Sequence, residues 1–204
     1  MSILPSSLQK YLVFVYGCAA AILFFCFTIK VNTPNNIYTL VIFLILGIVV
    51  ELHPVFYNTT ISQTVCTAIF IAAAFTLSPP LVLIISISGV ALADLFEKKP
   101  WFRILYNVSY RSICFGLITL IIDKVGLNSF SSLGYESTAL ILLVFCVYAF
   151  LSVIPMGILM ALVGGQSFVS GWRQTLNYFN EYDLSLFPYG LVLALLWRTN
   201  SWYF

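Results

Sequence analysis

The 204 residues predict an all-α, polytopic transmembrane helical bundle, a single domain of about seven spans, give or take one. Three observations carry that prediction. Hydrophobic residues make up 61% of the chain and charged residues 8%, against roughly 45–50% and about 25% in a soluble domain. The apolar residues fall into runs that approach the length needed to cross hydrocarbon. Those runs nearly exhaust the chain, which leaves no room for a sizeable extramembrane domain.

The runs are residues 11–29, 37–50, 65–77, 81–96, 104–122, 138–163 and 184–197. The first follows a short polar start. It is longer than a signal-peptide core and has no polar small-residue cleavage region after it, so it is expected to stay as a span. The second ends at Glu51, His53 and Pro54. The second, third and seventh runs are short, and such runs are extended by neutral flanks, tilted, interfacial or re-entrant. Residues 58–64 form a neutral, extended polar loop into the third run.

Ser78-Pro79-Pro80 stops one helix and lets the next start with proline in its first turn, so the third and fourth runs should form a tight hairpin. The sixth run carries Pro155 and ends at Gly164-Gly165. A kink is expected there, with a neighbouring helix or hydroxyl satisfying the freed carbonyl.

Basic residues set the expected orientation. Lys10, Lys98, Lys99, Arg103 and Arg173 gather at one face, and Lys30, Lys124 and Arg198 at the other. This places the amino terminus in the cytoplasm and, with seven spans, the carboxyl terminus outside a multi-pass cell-membrane protein. In the stretch Glu97-Lys98-Lys99-Pro100-Trp101-Phe102-Arg103 the rings suit the headgroup level and the cations suit anionic lipid. Membrane lipids are therefore one expected partner and another membrane protein is a second. Nucleic acid is not expected, because nine Lys and Arg against seven Asp and Glu are too few and too scattered to neutralise a run of phosphates.

Arg111 is the leading candidate for function, since an ionisable group inside a span is expensive and normally faces the bundle interior with a partner. Asn107 shares its helical face four residues earlier. Asp94, Glu51 and His53 should lie near the same membrane surface, so that the five could line a polar pocket open to the cytoplasm. The structural alternative has Arg111 snorkelling to the headgroups and Asp94 balancing Lys98 and Lys99 at the surface.

Asp123, Lys124 and Glu136 belong to the opposite loop and are expected to be solvated. Asn58-Thr59-Thr60 matches a glycosylation sequon but falls on the expected cytoplasmic side. Small residues at helix-packing spacing, Gly17 with Ala21, Ala68 with Ala72, and Ser86 with Gly89 and Ala93, should let helices approach closely within the chain or against another subunit.

No cofactor, metal site or catalytic residue is indicated. Cys18, Cys26, Cys66, Cys114 and Cys146 all sit in apolar runs without paired short spacing and read as packing residues. No His lies within a run to hold haem or chlorophyll, and His53 beside Glu51 is a weak metal or proton-relay pair. The hydrolase elbow, the phosphate-binding loop, the His-Glu-x-x-His pattern and paired membrane aspartates are all lacking, so a non-enzymatic protein is expected.

The stretch Glu51-Leu-His-Pro-Val, the polar loop after it, and Ala91-Leu-Ala-Asp-Leu-Phe-Glu-Lys-Lys-Pro-Trp-Phe-Arg-Ile-Leu-Tyr-Asn107 together resemble the multi-span membrane input region preceding bacterial HD-GYP phosphodiesterase and GGDEF signalling domains. Residues 183–202, with Pro188-Tyr-Gly and Ser201-Trp202, are similar to that region's penultimate span and following turn. The resemblance implies a bacterial sensory or anchoring module. A further span and a cytosolic output domain would be expected after Trp202, and neither follows in the sequence. The catalytic residues of such proteins belong to that output part, so none is carried over. A signalling module acting through a partner is then the first expectation. An accessory structural subunit of a larger membrane complex is the second, and a substrate-binding component of a transporter, similar in size to the small subunits of energy-coupling-factor systems, is the third.

Overall fold

The computed structural model describes residues 5–29, 31, 36–53, 55–58, 61–63, 65–127, 135–181 and 183–200. Lys30, Thr59, Thr60, Ser201 and Trp202, on which some of the expectations fall, lie outside them. In chain order the elements are α1 (Ser6–Thr28), α2 (Asn36–Glu51), β1 (Val55–Asn58), β2 (Ile61–Gln63), α3 (Cys66–Thr76), α4 (Pro79–Phe96), α5 (Trp101–Val125), α6 (Tyr135–Gly164), α7 (Phe168–Glu181) and α8 (Asp183–Asn200). The body is the expected helical bundle. Four of its helices, α1, α4, α5 and α6, are long and apolar enough to cross a membrane.

Two elements were not anticipated. Where the sequence suggested an extended polar loop, β1 and β2 pair antiparallel, with Val55 opposite Gln63 and Asn58 opposite Ile61. Between the sixth and seventh predicted runs stands α7, an amphipathic helix with no long apolar run to announce it. The other seven helices coincide with the predicted runs, their ends shifted by a few residues.

Contacts between helices fix their directions. Tyr11 meets Tyr106, and Cys26 meets Gly116, so α1 and α5 run parallel. Cys66 meets Arg111 and the Phe70 ring meets Phe115, so α3 runs with them. Gly190 lies on Ala68 and Arg198 reaches Phe75, so α8 does too. In the opposite direction, α4 brings Asp94 to Asn107, and α6 brings Ser152 and Pro155 to Tyr110 and Tyr106. Gly47 on Gly89 fits α2 running alongside α4.

At the centre is α3, whose residues from Cys66 through Phe75 are all buried. Its 11 residues rise only about 16 Å. Helices α2, α4, α5 and α8 pack around it, which spares its short length from having to match a lipid thickness. Where helices meet closely, glycine makes room. A Cβ on Gly190 would stand 2.6 Å from the Ala68 carbonyl oxygen, and one on Gly171 of α7 would stand 2.6 Å from that of Gly157 on α6.

Of the small residues expected at packing spacing, Ala68, Ala72, Ser86, Gly89 and Ala93 are buried between helices. Gly17 and Ala21 are exposed, and a Cβ on Gly17 would meet nothing within 4 Å, so among the described residues that pair is not buried against a neighbouring helix. The reason is rotational: the buried line of α1 is Leu8, Leu12, Val15, Ala19 and Cys26, and Gly17 falls off it.

Candidate functional site

The five candidate pocket residues gather at one end of the bundle, the end where α2 and α4 finish and α3 and α5 begin, but they divide into separate groups. The first group is the corner between α4 and α5. Helix α4 closes with the Lys98 amide bonded to the Leu95 carbonyl and the Lys99 amide to the Asp94 carbonyl, a Schellman arrangement that requires a left-handed residue after the C-cap. Lys98 takes that conformation, at φ 54°, although it is not glycine. Pro100 then sets the entry to α5.

Asp94 is only 3% exposed and holds the corner with both oxygens. One accepts from the Lys99 ammonium at 2.6 Å and the other from the Asn107 side-chain amide at 2.7 Å. The structural alternative for Asp94 holds in part: it does balance Lys99, but not as a surface carboxylate, because the side chain turns inward, where hydrogen bonds to α5 and to the turn replace water. Lys99 also pairs with Glu97 at 2.9 Å, while Lys98 is exposed. Partial burial works against the Lys99 charge, but the hydrogen bonds to Asp94 and Glu97 outweigh it, and its pKa is raised.

The second group surrounds Arg111, one helical turn beyond Asn107. Its guanidinium carbon stands 6.0 Å from the Phe70 and Tyr110 ring centres and 5.9 Å from that of Phe115, within cation–π range. One guanidinium nitrogen donates to the Cys66 sulfur at 3.8 Å. The snorkelling alternative is corrected as well, since the head lies among interior rings. The nearby anion is Glu51, 8% exposed at the end of α2, which acts on the guanidinium electrostatically. His53 joins neither group. It is exposed, and its Nδ1 lies 2.7 Å from the Val49 carbonyl of its own helix.

A third polar line, missed in the sequence, lies where α6 passes α1 and α5. Proline at 155 has no amide to offer the Leu151 carbonyl, and the Cys114 thiol donates to that oxygen at 3.3 Å. The Tyr110 hydroxyl donates to the Ser152 carbonyl at 3.0 Å, and the Tyr11 hydroxyl to that of Pro155 at 2.6 Å. The expectation that a neighbour satisfies the freed carbonyl is met, here by a thiol. The only signal for it in the sequence was Pro155 itself.

Cysteine is therefore more than packing at three positions, Cys26, Cys66 and Cys114, each of which makes a hydrogen bond. Arg198 was expected at a membrane face. Its guanidinium donates to the Phe75 carbonyl at 2.7 Å, capping the end of α3, where a cation complements the helix dipole. Among the described residues no group of three or more His, Cys, Asp or Glu side chains could hold a metal ion. Comparison with protein-family models, with characterised proteins and with solved structures gives no match, so the site is read from its own residues.

Proposed function

We propose that this chain is a multi-pass cell-membrane module that senses or anchors through a partner protein, without chemistry of its own. Helices α1 to α6 and α8 are its seven spans, and the amino terminus is cytoplasmic. The observation that carries the reading is the α4–α5 corner. The residues whose pattern resembles bacterial signalling input regions, 91–107, fold into one hydrogen-bonded clamp through Asp94, Lys99 and Asn107. Beside it, the Arg111 guanidinium links α5 to α3 through Cys66 and feels the Glu51 charge at the end of α2. These contacts tie the ends of α3, α4 and α5 together, which is the arrangement that an input module would use to pass a perturbation between helices.

The test is affinity capture of the tagged chain from its native membrane after mild cross-linking. A stoichiometric signalling protein should be recovered, and deletion of the gene should alter cyclic-dinucleotide levels. Recovery of no such protein together with unchanged levels sinks the reading. Arg111→Leu should impair function more than Lys124→Leu, whereas equal effects would make Arg111 a structural residue. Cysteine labelling of Lys10→Cys and Lys124→Cys from opposite sides of the membrane tests orientation.

One observation favours a second reading, the accessory subunit. On α1 the exposed Gly17 and Ala21 lie beside exposed Phe14, Phe24 and Phe25, an outward face that lets another helix approach closely. Gly17→Leu should then release a stoichiometric membrane partner in gentle detergent, and extraction of a lone monomer from wild type would end that reading.

A further inference from the structure

Helices α2 and α3 end and begin well inside the level at which α5 starts. Arg111 lies about 15 Å along α5 from Trp101, and α3 begins at that depth, since Cys66 meets the guanidinium. Glu51, the last residue of α2, is close enough for its charge to act there. A Cβ on Gly47 would stand 3.1 Å from the Phe70 ring, which seats the last turn of α2 against the first turns of α3. Two helix ends thus converge on the middle of a third helix. That junction combines irregular backbone with the ends of helix dipoles, the elements from which membrane proteins build sites for charged small molecules.

The positive side of the junction is under-satisfied. A guanidinium has five N–H donors. Among the described residues the one acceptor it meets is the Cys66 sulfur at 3.8 Å, and sulfur is a weak acceptor. Rings at 5.9–6.0 Å attract the cation but supply no oxygen to its hydrogens. The positive end of the α3 dipole adds to the same side, and Val65 at its N-cap has no polar side chain to close it. Arg111 also keeps accessible surface, although Phe70 and Phe115 beside it are wholly buried. Unmet donors of a charged group inside a bundle are costly. An anion seated against them removes that cost.

Charge sets the valence of that anion. The guanidinium supplies one positive charge and the start of α3 about half of one, while Glu51 offsets part of both. The balance suits a single negative charge. A carboxylate carries one, and its two oxygens match two parallel guanidinium hydrogens. A phosphate dianion or a dicarboxylate would set a second negative charge against Glu51.

We propose that Arg111 and the start of α3 bind the carboxylate of a small organic monocarboxylic acid. The bound acid takes the donors that the thiol leaves over and ties α5 more firmly to α3. This rests on the sensing role proposed above and deepens it, because the acid is then the signal.

The test uses the full chain in lipid nanodiscs at constant ionic strength, titrated with acetate, butyrate and benzoate and followed by thermal melting. At least one of these should raise the melting midpoint saturably, by about 5 °C, and its neutral amide and inorganic phosphate should not. Arg111→Gln should abolish the shift, and Lys124→Gln should leave it intact. Glu51→Gln keeps Arg111 and removes the opposing charge, so it should tighten the acid about tenfold. Wild type and Glu51→Gln carry the test if Arg111→Gln does not fold. No shift with any of the three acids, an equal shift with the matching amide, or weaker binding in Glu51→Gln overturns the site. An equal shift with phosphate overturns the choice of a monocarboxylate, and a shift with oleate alone overturns a small acid in favour of a lipid one. Acid binding without a captured signalling partner defeats only the module reading, whereas a captured partner without acid binding defeats only this site.

Discussion

Lys98 occupies a backbone position that glycine would take without cost. Its φ of 54° is left-handed, and a side chain there costs about 1 kcal/mol. Lys98→Gly should therefore raise stability by about 1 kcal/mol, seen as a higher melting midpoint in detergent, and an unchanged or lower midpoint would remove the strain argument. Asp94→Ala should cost about 2 kcal/mol, because it strands the Asn107 amide and removes one of the two carboxylates that Lys99 pairs with. The raised pKa of Lys99 has a definite sign: its stabilisation is complete below the ordinary lysine value and is lost as pH climbs through the raised one. Wild type and Lys99→Met should thus differ in melting midpoint at neutral pH and converge in strong alkali. The sequence placed Asp94, Asn107 and Arg111 correctly at one end of the bundle, because spacing along a helix fixes axial position. It offered Asp94 with Lys99 only as a surface pair, not as a buried bond across the turn. That bond depends on the left-handed Lys98, which has no signature when the residue is not glycine.

Proline 155 sits within α6 and is supported by side chains from two other helices. If Cys114 serves the Leu151 carbonyl because proline has no amide, restoring the amide should make the thiol redundant. Cys114→Ala should then destabilise less in a Pro155→Ala background than in wild type, with a coupling of about 0.5–1 kcal/mol in a double-mutant cycle. Additive losses would mean that the thiol only packs. The seven apolar helices were legible because a run of apolar residues is a direct consequence of contact with lipid or a lipid-like core. Helix α7 was not, since exposed apolar, buried and exposed polar residues alternate along it. Its signals were weaker and local: Gly165 followed by Ser167, then Phe168, Trp172 and Leu176 at fourfold spacing. The β1–β2 hairpin left still less trace, being two short strands of mixed polarity.

The whole bundle is held by close backbone approaches, and these separate two kinds of glycine. A Cβ at Gly190 would lie 2.7 Å from the Ile71 Cβ as well as against the Ala68 carbonyl, whereas one at Gly17 would touch nothing. Gly190→Ala should destabilise by about 1–3 kcal/mol and Gly17→Ala by less than about 0.5 kcal/mol, compared by thermal melts in one detergent. Similar effects at the two sites would show that helix packing here is looser than the geometry implies. From sequence the two glycines look alike, because rotation about the helix axis decides which one meets a neighbour. The central position of α3 carries one more consequence, and it concerns biogenesis. On the proposed seven-span reading, a helix of 11 residues would be too short to rest alone in a bilayer, so α3 would enter paired with α4 and wait for α5 and α8 to enclose it. The last of these to emerge from the ribosome is α8, which supplies Gly190 and Arg198. Nascent chains that stop before it would leave the innermost helix open on one side, a surface for quality-control proteases to recognise until synthesis is finished.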